Sequence, residues 1–185
     1  MRPRLLAILL AISLAPALAA PQAGEPLDPA LKRIVAPVLR DWIVTSRDAA
    51  FAQGVRTIPA EIRAAVNGYV PADVLDRVRW RVDTSSYLSV QQSLFRLGAT
   101  PAMTLDDVVI FAQESDALED PTLWVHELFH VMQYRDWGVD GFVARYLEDY
   151  QAVEHDAAEY RWEWMKRTGR IPKSTAGMDV TDQGD

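Results

Sequence analysis

Residues 122–136 carry His126, Glu127 and His130, an H-E-x-x-H word, inside a run that is apolar on almost every turn. An α-helix advances about 100° per residue, so residues four apart stack on one face and both imidazoles project the same way. One rigid element can then grip one metal ion. Glu127 is rotated about 100° from His126, near enough to reach a metal-activated water without competing as a ligand. Chance produces the word in roughly one chain in a few hundred, so its surroundings must decide. Asp120-Pro121 supplies an N-cap and a first-turn proline. Leu123, Trp124, Val125, Leu128, Phe129, Val131 and Met132 make the following helix apolar nearly all round, as a buried helix is. Two histidines and a glutamate on a buried helix need partners, because unpaired buried charge is expensive, and a metal ion satisfies all three. The stretch therefore reads as a zinc hydrolase core with two ligands and a general base. The bland alternative is a helix with two ordinary histidines.

Catalytic zinc takes three protein ligands and keeps one position for water. The chain has no cysteine, which excludes a thiolate ligand and any disulfide. The longer word H-E-x-x-H-x-x-G-x-x-H fails, because Gln133 and Asp136 occupy its glycine and last histidine positions. The third ligand is then sought at residues 150–160, which offer Glu154, His155, Asp156 and Glu159. Glu154 is preferred, since Ala157 and Ala158 one turn on would let its helix approach the metal helix closely. It also fits an E-x-x-A arrangement seen after H-E-x-x-H in several zinc peptidase families. His155 is the chief rival and Glu159 follows. Tyr134, Tyr146, Tyr150 and Tyr160 are candidate donors to a tetrahedral oxyanion, although tyrosines at helical spacing are commonly core.

The first residues set an address. Arg2 and Arg4 precede an apolar run of about ten residues and an A-x-A site, the pattern of a secretory signal peptide over residues 1–19. The run is too short for a membrane span, and without a cysteine no lipid anchor can follow. The expected product is exported, periplasmic or secreted, with no membrane anchor. Of 19 basic residues two lie in the leader, leaving 17 against 26 acidic ones, a net charge of −9. That balance disfavours nucleic acid and anionic membranes. The 166 residues beyond the leader, from a chain of 185, make one domain.

The periodicity predicts an α+β, mostly helical fold over residues 28–168, with helices at 28–67 and a metallopeptidase-like core at 70–168. Residues 20–27 read as a mobile lead-in and 169–185 as a disordered polar tail. A helix begins at Asp28-Pro29, with Pro37 expected to kink or split it and Gly54 to close it. Short helices are expected at 59–65 and 71–76, and a strand with one wet face at 78–82. Residues 85–97 fit either strand or helix, and 98–101 a turn. Residues 105–111 read as one β-prone run followed by a polar loop at 113–119. Residues 107–112 are assigned the role of an edge strand able to pair with an extended substrate. A glycine-marked reversal at 137–141 leads into a helix at 142–166.

Several words extend beyond the metal helix: Val78-Arg79-Trp80, Thr-Leu-Asp-Asp-Val-Val-Ile-Phe at 104–111, Leu-Trp-Val-His-Glu-Leu-Phe-His-Val-Met-Gln-Tyr at 123–134, then Gly138, Phe142, Tyr146 and Val-Glu-His-Asp-Ala at 153–157. On these words residues 70–160 resemble the extracellular contractile injection system core domain, a small bacterial domain of unknown function. The resemblance implies a zincin-like metallopeptidase fold, with the active-site helix packed on a small sheet beside a second ligand-bearing helix. It implies Zn2+ held by His126, His130 and Glu154 with Glu127 as base, and no known substrate; the metallopeptidase reading itself expects a peptide or protein substrate. The more distant gluzincins often carry Asp four residues after the third ligand. Here that position is Ala158, so the supporting carboxylate is absent or comes from Asp156 or Asp149. The expected function is an exported zinc metallopeptidase. The alternative is a zinc-stabilised binding or scaffold module without catalysis, for which Glu127 is unnecessary.

Overall fold

The computed structural model describes residues 28–82 and 101–171. Expectations for the leader, the lead-in, residues 85–97 and nearly all of the tail lie outside the described residues. Helix α1 (Pro29–Gln53) starts where Asp28 Oδ1 accepts from Ala30 N at 2.7 Å. It runs through Pro37 as one helix rather than two. Proline removes one intrahelical hydrogen bond, but Val35, Ala36, Leu39 and Ile43 around it pack into one apolar cluster that holds both sides.

Strand β1 (Arg56–Thr57), helix α2 (Ala60–Val66), helix α3 (Ala72–Arg77) and strand β2 (Arg79–Val82) follow. Strands β3 (Ala102–Leu105) and β4 (Val108–Phe111) complete a four-stranded sheet in the order β1-β2-β4-β3. β2 and β4 are parallel, and the outer pairings are antiparallel. The run 105–111 is thus not one strand. Leu105 pairs with Val108, and Asp106-Asp107 makes a two-residue turn with Asp106 at φ 56°. Aspartate tolerates this left-handed conformation better than most residues. Arg47 on α1 grips the Asp107 carboxylate from Nε at 2.7 Å and Nη2 at 3.0 Å, which fastens the turn.

Residues 107–112 do not offer the expected edge strand. β4 is paired on both sides, by β2 and β3, and has no free edge to offer. Among the described residues, β3 is the strand beside the helix bearing His126 and His130 with a partner on one side only. The expected loop 113–119 is a short helix, α4 (Glu114–Glu119), with acidic residues at its N-terminal end and Ala117 buried.

Helix α5 (Pro121–Thr168) begins at Asp120, whose Oδ1 accepts from Thr122 N at 2.8 Å and Leu123 N at 3.0 Å. It is broken twice, at Gly138 (φ 68°, ψ 170°) and at Asp149 (φ −153°, ψ 86°). The expected reversal at 137–141 is carried by Gly138 alone, and the expected helix 142–166 has a break inside it. Asp149 Oδ1 accepts from Ala152 N at 3.0 Å and so caps the last segment, residues 150–168.

The sheet has two apolar faces. Val109 and Phe111 join Trp80, Trp124 and Leu128 on one side; Val108 and Ile110 join Met103, Leu105, Ile43 and Tyr134 on the other. Alternation along β4 puts successive residues in different cores, which is why its four residues are all apolar. Trp80 and Trp124 indole N–H groups are satisfied by Thr57 O at 2.9 Å and Ala117 O at 2.7 Å. Among the described residues no helix is long and apolar enough to cross a membrane.

Candidate metal centre

The first segment of α5, residues 121–137, is anchored in the core by Trp124, Val125, Leu128 and Val131. The helical face between these anchors presents His126 and His130, with ring centroids 4.8 Å apart. Glu154 lies 24 residues beyond His130. A continuous helix would separate them by roughly 36 Å, so the breaks at Gly138 and Asp149 are what bring it back. Glu154 Oε2 lies 3.3 Å from His126 Nε2 and 3.6 Å from His130 Nε2, and the two Nε2 atoms are 3.2 Å apart.

These three atoms could hold a metal ion. For metal–donor bonds of about 2.0–2.2 Å, the donor–donor edge of a tetrahedron is about 3.3–3.6 Å. The observed edges of 3.2, 3.3 and 3.6 Å match those dimensions to within about 0.1 Å. His130 is buried, His126 nearly so, and Glu154 retains 34% of its side-chain exposure, so the cluster opens on the carboxylate side. Burial opposes charge on Glu154, but hydrogen bonds and charge from the two histidines outweigh it and hold the carboxyl well below its usual range. Burial likewise favours neutral His130, but Glu154, Glu127 and Gln133 together raise its pKa.

His155 and Glu159 share the helix of Glu154 but are exposed and belong to no such cluster among the described residues. Asp156 is also exposed, and the Asp149 carboxylate is engaged in capping. The histidine support comes from elsewhere. His130 Nδ1 lies 2.7 Å from Gln133 Oε1, and Gln133 Nε2 donates to Val153 O at 3.3 Å. His126 Nδ1 is buried and has no hydrogen-bond partner among the described residues.

Glu127 is 4% exposed and Thr104 is 9% exposed. Thr104 Oγ1 on β3 lies 2.7 Å from Glu127 Oε2 and 3.2 Å from the Glu127 carbonyl, so the hydroxyl donates to the nearer carboxylate oxygen. Neither Gln133 nor Thr104 was marked as functional by sequence. Gln133 had a local signal, because it sits three residues after His130 on the same helix face. Thr104 had none, since it meets Glu127 only through the docking of a strand against the helix.

Residues 57–138 match the eCIS core domain. The match covers 82 of the 185 residues and begins earlier and ends earlier than the span 70–160 read from sequence. The eCIS core domain segment therefore contains Thr104, His126, Glu127, His130 and Gln133, and stops at the Gly138 break. Glu154 is contributed from beyond it. No curated protein and no solved structure matches this chain.

The four tyrosines divide. Tyr134 and Tyr146 are buried against Phe142, stacked at centroid distances of 3.9 Å and 5.6 Å. Burial first, then neighbouring charges that include Glu127 and Glu154, push both phenols well above their usual pKa, so both stay protonated. Tyr150 is half-buried beside Tyr146, with centroids 6.1 Å apart. Tyr160 is engaged elsewhere: its hydroxyl donates to Tyr69 O at 2.9 Å, Tyr69 returns a bond to Tyr160 O at 2.7 Å, and burial is the main cause of a pKa pushed up to about 12.

Proposed function

We propose that this chain is an exported zinc metallopeptidase of zincin-like design, with the metal held by His126, His130 and Glu154 and Glu127 as general base. The observation that carries the proposal is the convergence of two imidazole nitrogens and one carboxylate oxygen at tetrahedral edge lengths. Two nitrogens and one oxygen without a thiolate is a donor set typical of catalytic rather than structural zinc. Zinc bound there would supply Lewis acidity and lower the pKa of a coordinated water to about 7.

The chain's own residues do the remainder. His126 and His130 would hold the ion through Nε2, and Glu154, from the last segment of α5, would supply the third ligand. Glu127 takes a proton from the attacking water and delivers it to the leaving amine. Thr104 donates to Glu127 Oε2 and holds the carboxylate in place while it does so. Tyr134 and Tyr146, stacked on Phe142 and within reach of the charges of Glu127 and Glu154, are the tyrosines from which a donor to the developing oxyanion would come. The substrate is a peptide or protein approaching from the exposed side of Glu154.

One observation favours a second reading, a metal-stabilised binding or scaffold module. Glu127 is almost fully buried and already hydrogen-bonded, as a purely structural carboxylate would be. Glu127→Gln separates the two. Zinc content and hydrolysis of a quenched fluorescent peptide library are measured for both proteins. Peptidase chemistry predicts retained zinc and a rate at least about 100-fold lower. Zinc retained by a wild type that cleaves nothing supports the scaffold; unchanged turnover in the variant removes Glu127 from the mechanism.

A further inference from the structure

Gln133 touches both halves of the metal centre, and its two contacts are not independent. The Val153 carbonyl can only accept a hydrogen bond, so the group of Gln133 that faces it at 3.3 Å must be the amide NH2. The amide oxygen then faces His130 Nδ1 at 2.7 Å, and an oxygen there requires that Nδ1 carry the proton. A neutral imidazole protonated on Nδ1 has its lone pair on Nε2. That is the atom facing His126 Nε2 and Glu154 Oε2.

Val153 is the residue immediately before Glu154, in the first turn of the same helical segment. One backbone carbonyl thus fixes the orientation of the Gln133 amide, and the amide fixes which nitrogen of His130 is free to bind metal. Gln133 is 3% exposed, so water cannot readily substitute for either contact. Among the described residues His126 has no comparable partner at its Nδ1.

We propose that Gln133 is a positioning residue that couples docking of the Glu154 segment to selection of the metal-binding tautomer of His130. It touches neither substrate nor the ion and acts through His130. The consequence is that the centre assembles as a unit. The eCIS core domain segment supplies His130 and Gln133, and the segment beyond it supplies both the third ligand and the carbonyl that orients the second. The inference rests on the metal-centre reading above.

The test uses the full chain and zinc alone as probe. Competition against a chromophoric chelator gives the zinc dissociation constant for wild type, Gln133→Met and Gln133→Glu, with thermal unfolding of each metal-free protein measured alongside. Methionine keeps the unbranched length and removes both hydrogen bonds. Glutamate can still accept from His130 Nδ1–H but cannot donate to Val153 O. Loss of an orienting partner weakens metal binding about 10–100-fold, and that is the expected result for Gln133→Met. Gln133→Glu is expected to bind zinc more tightly than Gln133→Met, even if it is the less stable of the two without metal. A merely structural glutamine would give the reverse, with the buried charge the worse substitution on both readouts. Gln133→Met binding within about twofold of wild type, or Gln133→Glu no tighter than Gln133→Met, overturns the proposal. Should the variants not fold, 15N–1H spectra of metal-free wild type above the titration of His130 still decide: a proton on Nδ1 supports the proposal, and a proton on Nε2 overturns it. A wild type that binds no zinc overturns the metal-centre reading and this inference together, whereas a wild type that binds while the variants match it overturns this inference alone.

Discussion

Thr104→Val isolates the link between the sheet and the proposed base. Valine fills the same space, so the perturbation is the loss of one hydroxyl donor from the buried Glu127 carboxylate at 2.7 Å. A hydrogen bond to a charged group is worth about 1.5–3 kcal/mol, and a buried acceptor left unsatisfied lies at the upper end of that range. For a domain of this size that corresponds to a fall in midpoint of roughly 4–12 °C. Urea unfolding of the metal-free protein measures it directly. The same substitution in a Glu127→Gln background should cost only about 1 kcal/mol, because the remaining bond is between neutral groups. The double-mutant cycle should therefore show a coupling of about 1–2 kcal/mol. A cost below about 0.5 kcal/mol, or an equal cost in both backgrounds, would refute the claim that Thr104 holds the carboxylate. Zinc affinity should change little, since neither oxygen of Glu127 belongs to the donor triangle.

Gly138→Ala should destabilise the protein by about 1–3 kcal/mol, since φ 68° with ψ 170° is a conformation essentially confined to glycine. An added Cβ meets no atom within 4 Å, so the cost is backbone strain rather than a clash, and urea unfolding reads it. Asp106→Asn should stabilise by about 0.5–1 kcal/mol. Burial first, and then the Asp107 charge, raise the Asp106 pKa despite Arg47 and Arg77, and asparagine also suits the left-handed turn. A raised carboxyl pKa penalises folding above that pKa and ceases to do so below the unfolded value. The advantage of the variant should be full at pH 7 and shrink as pH falls towards about 4. Thermal midpoints across that pH range check the sign.

What could be read from sequence was what short-range chemistry dictates. Asp28-Pro29 and Asp120-Pro121 mark helix starts because capping is local, and His126 and His130 share a face because helical spacing is local. The small residues after Glu154 pointed to a helix able to approach another, and the structure places Glu154 beside both histidines. The hairpin was hidden because Asp106-Asp107 sits inside a run of β-prone residues, and turn chemistry there overrode propensity. Helix α4 is six residues long, too short for periodicity to appear. The inner position of β4, and with it the loss of the edge-strand role, depends on partners chosen over long separations that no local pattern encodes. Thr104 belongs to the same class, whereas Gln133 was within reach of an i, i+3 argument.

The central claim is that His126, His130 and Glu154 form a metal centre, and metal analysis of the purified chain after mild dialysis tests it most directly, with thermal midpoints taken before and after chelation. One zinc per chain is expected, with a midpoint that falls when the metal is removed. A chain that retains no zinc, with a midpoint unchanged by chelator, would contradict it.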